Sequence, residues 1–364
     1  MKNFFAIVLP EQKNRIEGLD LLRAIAIFFV VLYHGWAFVS PYFPTLGMLF
    51  FLGFWGVEFF FVLSGFLVGG ILIRSYKNSI KIDLHFLFNF WKRRWKRTIP
   101  IYIVVLFCSY LLLNLYFKVG FDFPYLYFFF SQNLWYIHPQ FFPEAWSLAI
   151  EEWFYISLPL LFLFFHLFLK NKTSKNILTI VLISITIFTS TRLILLNNNF
   201  DLIYWDFNVR KIVLYRLDAI LYGVLAYQLF TVYTSFFTKY RYRFLVSGAL
   251  GLFFSYYFFY QKTNPVFSNV FFLSSTSLSI ALCVPFFYNF RFKISWLKNF
   301  ITVISVSSYS MYLIHYTIIF RIFNSDLITK NLMHATIILL LYLLVVLVSS
   351  VFVYRFVEKP LTSH

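Results

Sequence analysis

Three residues in one apolar stretch give the first chemical signal. Residues 15–36, RIEGLDLLRAIAIFFVVLYHGW, carry Asp20, Arg23 and His34 inside a run otherwise suited to hydrocarbon. An ionisable side chain in a membrane-spanning helix is costly unless it faces protein or water, so each of the three is a functional candidate. A helix turns about 100° per residue, so eleven steps from Arg23 to His34 end only about 20° past three full turns. The two side chains share one face, roughly 16 Å apart along the axis. One end of this helix can hold an anion near a membrane surface while the other presents a proton acceptor deep in a bundle. An imidazole titrates close to neutrality, which is what a general base requires.

Other candidates fall at a comparable depth. Ser147 and Glu151, in WSLAIEEW, stand four apart and share a face near the outer end of the fourth expected span. Arg216 and Asp218, in YRLDAILYG, and His315, in SYSMYLIHY, lie at a similar level counted from the ends of their own spans. The expectation is a buried polar centre with His34, Glu151 and Ser147 as its catalytic groups. Glu151 would orient the His34 imidazole or steady the imidazolium. Asp20, Glu58, Trp146, Arg216, Asp218 and His315 would support that centre. The plainer alternative for Glu58, Arg216 and Asp218 is interhelical ion pairing; Arg216 and Asp218, two apart, cannot share a face. Toward the other surface, Arg94 and Arg97 stand three apart between aromatic rings in WKRRWKR, a fork of guanidiniums suited to a phosphorylated ligand. Their neighbours Lys92, Arg93 and Lys96 suit anionic lipid. Gly65 and Gly69 form a GxxxG, expected to serve close helix packing and no chemistry.

The elements that must position these groups follow from composition. Of 364 residues, 61% are hydrophobic and 12% charged, in apolar runs near 20 residues long. That excludes a soluble domain, and the continuous runs exclude a barrel of alternating strands. An all-α, polytopic helical membrane protein is expected. The net charge of +17 does not indicate nucleic acid, because the Lys and Arg bracket alternate helix ends, the positive-inside pattern. It predicts ten spans, near 19–39, 47–73, 98–117, 146–169, 177–196, 211–230, 244–260, 266–288, 301–321 and 332–354, with both termini cytoplasmic. Residues 78–97 are expected as a separate interfacial helix, ending before a new helix opens at Thr98 and Pro100. The aromatic segment 118–145 is expected to lie on, or dip into, the outer face of the bundle. Residues 1–18 lack a signal-peptide pattern, so the first span is expected to stay. Cys108 and Cys283 sit in apolar runs as packing residues, and neither a disulfide framework nor a metal site is expected. The Asn171 sequon falls on the inside and is discounted.

Several pieces, taken together and in order, resemble a known family. They are Arg23 followed by ten residues and His34, GVEFFFVLSGFL from Gly56, Arg94 and Arg97 as Arg-x-x-Arg, WSLAIEE from Trp146, RLDAILYG from Arg216, SYSMYLIH from Ser308, and EKP ending at Pro360. The chain resembles the acyltransferase-3 family of integral membrane acyltransferases, which modify bacterial surface glycans. The resemblance implies a single transmembrane domain over residues 15–360, with short tails at 1–14 and 361–364, in the inner (cytoplasmic) membrane. It implies O-acyl transfer, by family habit O-acetyl transfer, from cytoplasmic acyl-CoA (acetyl-CoA) to a hydroxyl of an extracytoplasmic glycan such as lipopolysaccharide O-antigen or exopolysaccharide. Acyl-CoA would be a co-substrate and not a tightly bound cofactor, with Arg23, His34, Arg94 and Arg97 implicated in its use. Glu58 stands where the family frequently has Asp. Many relatives carry a C-terminal esterase-like domain; here the sequence ends four residues after Pro360, which implies direct transfer or hand-over to a separate extracytoplasmic protein. The partners expected are therefore the acyl-CoA donor, the glycan acceptor, the lipid bilayer and such a transfer protein, with no nucleic acid. A transporter or flippase for a glycan or lipid-linked intermediate is the competing class, since it too would have many spans and buried charges.

Overall fold

The computed structural model describes residues 15–43, 50–79, 83–169, 173–195, 201–262, 264–324 and 331–362. Among these the chain is helical without strands, and nine helices are long and apolar enough to cross a membrane. With one shorter apolar helix they are, in chain order, α1 (Glu17–Phe38), α2 (Phe51–Asn78), α3 (Leu84–Tyr116), α4 (Ala145–His166), α5 (Ser174–Ile194), α6 (Leu217–Val232), α7 (Arg241–Gln261), α8 (Phe267–Asn289), α9 (Ser295–Asn324) and α10 (Leu332–Thr362). The fold is that of a polytopic helical membrane protein. The Asn171 sequon, the tail 1–14 and the last two residues lie outside the described residues.

α1 packs against α2, α8 and α9, and α6 against α2, α5 and α8. These contacts make α1, α2, α6, α8 and α9 the centre. α7 and α10 keep large apolar side chains such as Phe253, Phe254, Leu340 and Leu344 exposed. Leucine is as apolar as a lipid tail, so such faces need no protein cover. The crossing between α2 and α6 is close. A Cβ on Gly65 would run into the Ile220 carbonyl and one on Gly223 into the Val62 carbonyl, while Gly69 sits against Val224. The GxxxG therefore serves packing, as its spacing predicts. At Gly65–Gly69 the helix also widens into a π turn.

Two elements differ from the expectation. The basic stretch 84–97 is not a separate interfacial helix; it is the first half of α3, capped by Asp83, whose side chain accepts the Phe86 amide at 3.0 Å. Pro100 lies inside that helix and does not open a new one. Tertiary bonds hold the join: the Thr98 hydroxyl donates to Glu152 at 2.8 Å, and the Tyr309 hydroxyl donates to the Thr98 carbonyl at 3.1 Å. Buried protein partners let a membrane helix continue through proline. The arginine fork is thereby held on a continuous helix.

The sixth span is the other departure. It is expected from residue 211, yet α6 opens only at Leu217. Before it the chain makes a short helix, Leu202–Trp205, a π turn, Asp206–Arg210, and a 3-10 turn, Val213–Tyr215. The segment between α3 and α4 ties this irregular backbone down. The Asn133 side chain donates to the carbonyls of Lys211 (2.6 Å) and Trp146 (3.0 Å), and the Asn133 carbonyl accepts the Val213 amide at 3.0 Å. Phe130, Phe141 and Phe142 of the same segment are buried, so it packs onto the bundle as its aromatic content predicts.

Candidate active site

Three cavities lie in series. The first, about 570 Å³, is a basic vestibule lined by Arg15, Lys92, Arg93 and Lys96 together with Arg23 and Arg97. Arg23 and Arg97 also line the second, an inner cavity of about 310 Å³ that adds Arg94, Ser147, Glu151 and Tyr155. Val57 and Tyr312 line both the inner cavity and the third, an outer cavity of about 530 Å³ holding His34, His315, Glu144, Trp146, Arg210 and Lys211. Arg23 and His34, on one face of α1, therefore stand on opposite sides of a wall to which Val57 and Tyr312 contribute.

Each end is built by its own elements. At the arginine end Asp20 anchors Arg23: it pairs with Arg15, lies 3.5 Å from Arg23, and accepts from Ser305 at 2.7 Å, while Arg23 donates to Ser305 at 3.2 Å. Arg94 lies over the Tyr155 ring, its guanidinium carbon 5.5 Å from the centroid. Neither Arg94 nor Arg97 has an ion-pair partner among the described residues. Tyr155 donates to Glu151 at 3.0 Å and shares a 2.5 Å bond with Ser64. A cavity with open guanidiniums and, among the described residues, a single carboxylate along its wall can take a polyanion.

The wall itself is polar. The Tyr312 and Ser147 hydroxyls are 2.6 Å apart, and both reach the Glu144 carbonyl, Tyr312 at 3.1 Å and Ser147 at 3.4 Å. Beyond it, α9 changes from α to π geometry at His315–Phe320. At that change the Thr317 amide and hydroxyl donate to the two Glu144 carboxylate oxygens, at 3.0 and 2.6 Å. Glu144, just ahead of α4, has its carboxyl pushed up to about 7 by burial, against the lowering effect of the Thr317 bonds. π turns recur where a helix must aim side chains at a site. Here the turn carries His315, whose ring centroid is 5.1 Å from that of His34. Tyr33 and Tyr316 hold the His34 ring from further sides, at 4.8 and 4.3 Å. Arg210 packs 4.6 Å over the Trp146 ring and pairs with Asp206, which also takes Lys211 at 2.6 Å. Burial raises the Asp206 carboxyl, but the two cations outweigh it and hold it below the ordinary carboxylate range.

The residues expected in one centre are thus divided. His34, His315 and Trp146 meet in the outer cavity, whereas Glu151 and Ser147 line the inner one. Glu151 is not the group that orients His34: its carboxylate is taken by Tyr155, on the arginine side of the wall. Counting residues from helix ends put the two at one level, but the rotation of α4 turns Glu151 toward α2 and α3. Glu58, Arg216 and Asp218 line none of the three cavities. Glu58 pairs with Arg216 and accepts from Ser277 at 3.0 Å; Asp218 pairs with Arg192 at 2.8 Å and accepts from Ser274 at 2.7 Å. All four charged residues are fully buried, and both pairs join helices, the plainer alternative for these residues. Arg192 was missed, although an arginine in an apolar run is itself a signal. So were Tyr312 and, at broken helix ends where no periodicity marks a residue, Glu144, Asp206, Arg210 and Lys211.

Comparison with known proteins follows the same lines. The family described as "Acyltransferase domain" matches residues 16–355. The chain is 34% identical over 205 residues to O-acetyltransferase OatA of Staphylococcus aureus (strain NCTC 8325 / PS 47), covering 50% of this chain and 31% of that protein. It is 34% identical over 168 residues to the putative peptidoglycan O-acetyltransferase YrhL of Bacillus subtilis (strain 168), covering 40% of this chain and 23% of that protein. A putative O-acetyltransferase of Staphylococcus aureus (strain COL) is 36% identical over 173 residues, 43% of this chain and 26% of the relative. The aligned part thus spans less than a third of each relative's length. No solved structure matches the chain. With the family match running from the start of α1 into α10, the chain belongs to the acyltransferase-3 family.

Proposed function

We propose that this chain is an integral membrane O-acyltransferase, moving an acyl group, by preference acetyl, from acyl-CoA at the arginine end to a glycan hydroxyl at the other. The observation that carries this reading is the series of cavities: open guanidiniums at one end, two neighbouring imidazoles at the other, and Tyr312 between them. The phosphates of CoA suit the vestibule, where among the described residues six Lys and Arg side chains face Glu358 as the one acid. The pantetheine arm then runs into the inner cavity past Arg23 and Arg97 and brings the thioester to the wall at Tyr312. In the transfer the acceptor hydroxyl attacks the thioester carbonyl, the C–S bond breaks as the C–O bond forms, and His34 carries the hydroxyl proton to the departing thiolate. A Tyr312 or Ser147 hydroxyl that turns from the Glu144 carbonyl to the thioester oxygen would be the donor for the developing charge.

The basic vestibule belongs to the cytoplasmic side of the inner membrane by the positive-inside pattern, with both termini cytoplasmic. The acceptor is then extracytoplasmic. Relatives named as O-acetyltransferases, one of them for peptidoglycan, favour a peptidoglycan glycan strand over O-antigen or exopolysaccharide. The test is mass spectrometry of cell-wall and surface glycans from cells expressing the chain, its His34→Ala variant, or neither. An acyl-sized mass, removed by mild alkali and present only with the intact chain, is the expected result. Glycan export that proceeds without any CoA thioester would instead support a transporter.

A further inference from the structure

We infer that His315 is the positioning residue for His34: its Nε2 accepts the His34 N–H, which leaves the other His34 nitrogen as the lone pair facing the acceptor hydroxyl. This rests on the acyl-transfer reading above and takes from Glu151 the orienting role that the sequence suggested.

The tautomer of His315 follows from its partner. Its Nδ1 lies 2.7 Å from the Tyr312 carbonyl oxygen. A carbonyl can only accept, so Nδ1 carries the proton, and in the neutral ring Nε2 is a bare acceptor. That Nε2 is buried with no hydrogen-bond partner among the described residues, on a residue with no exposed surface. A buried acceptor left bare is unfavourable, and the neighbouring imidazole is that of His34, 5.1 Å between centroids with the rings tilted by 53°. The proposed bond forms when the His34 ring turns to bring an N–H onto Nε2.

The carboxylates that could compete are engaged. Glu144 holds the Thr317 amide and hydroxyl with its two oxygens, Asp206 bridges Arg210 and Lys211, and Glu151 takes Tyr155 beyond the wall. A physical reason favours a neutral orienting group here. Arg210 and Lys211 line the same cavity, and a free carboxylate beside His34 would be drawn to them. An imidazole acceptor escapes that competition. As His34 takes the hydroxyl proton, the N–H bond it makes to His315 in this arrangement strengthens; the proton then passes to the thiolate, and His315 ends with the proton count it began with.

Two substitutions in the purified full chain separate this role from a structural one. His315→Asn keeps an amide N–H able to reach the Tyr312 carbonyl but has no atom at the Nε2 position. His315→Gln extends an amide oxygen toward that position. Positioning predicts that Gln retains a kcat at least about tenfold above that of Asn, with KM for acetyl-CoA unchanged in both. An Asn variant equal to or better than Gln would overturn the inference and leave only the bond to Tyr312. A second readout needs no activity: in 15N-histidine NMR of the chain, the bare nitrogen of His315 should shift on His34→Ala, and an unmoved signal would equally overturn it. If the intact chain transfers no acyl group at all, the functional reading fails and the NMR arm still decides the imidazole pair.

Discussion

Arginines occur in two settings in this protein, fully buried in ion pairs or partly exposed beside cavities, and the contrast separates scaffold from site. In the seam of α2, α5, α6 and α8, Arg216 meets Glu58 and Arg192 meets Asp218, each pair buried and bonded to a serine of α8. Near the vestibule, Arg94 and Arg97 line cavities with no ion-pair partner among the described residues. A guanidinium taken out of water needs an anion close by. Where the fold supplies it, the charge is structural; where the fold leaves it open beside a cavity, the anion is expected from a ligand.

The largest effect should come from breaking a structural pair. Among the described residues, Glu58→Ala leaves Arg216 buried with no anion in contact, and two of its three nitrogens already lack partners. Loss of about 3–5 kcal/mol is expected, read as a fall in the unfolding temperature in detergent. Replacing both partners, Glu58→Leu with Arg216→Met, should recover most of it. If the single variant is as stable as the parent, the seam is not the scaffold described here.

An intermediate effect, and of another kind, is expected at the open end. Arg97→Ala should change stability by less than about 0.5 kcal/mol and raise the KM for acetyl-CoA by about 10- to 100-fold. A variant that unfolds, or one that binds donor normally, would remove the distinction between the two sets of arginines. The smallest effect concerns Asp206, paired yet beside a cavity. Its folded carboxyl lies below the ordinary value near about 3.9. The stability it contributes is therefore complete above about pH 4 and is lost as pH falls through the lower, folded value. Thermal unfolding between about pH 2 and pH 5 should show that slope, and Asp206→Asn should flatten it.

Much of the scaffold was legible because hydrocarbon enforces long apolar runs and leaves charge at their ends. Nine of the ten expected spans have counterparts among the long apolar helices. The exception, α6, starts late because Asp206, Arg210 and Lys211 bond to one another and Asn133 takes the backbone at Lys211, contacts with no local signature. α3 ran longer than expected for a related reason: the bonds of Thr98 and Tyr309 to distant partners carry the helix through Pro100, which a local rule reads as a start.

By itself the sequence determined the helical membrane class, the shared face of Arg23 and His34, the arginine fork and the family resemblance. These depend on composition, helical period or motif order, all properties of neighbouring residues. Only the tertiary structure decided which charges are neutralised and which cavity each group enters. Glu151 parted from His34, and Arg216 and Asp218 were withdrawn into pairs with Glu58 and Arg192, because helix rotation and partners far apart in sequence set those choices. The neighbour that tertiary packing placed beside His34 is His315, from a π turn 281 residues further along the chain.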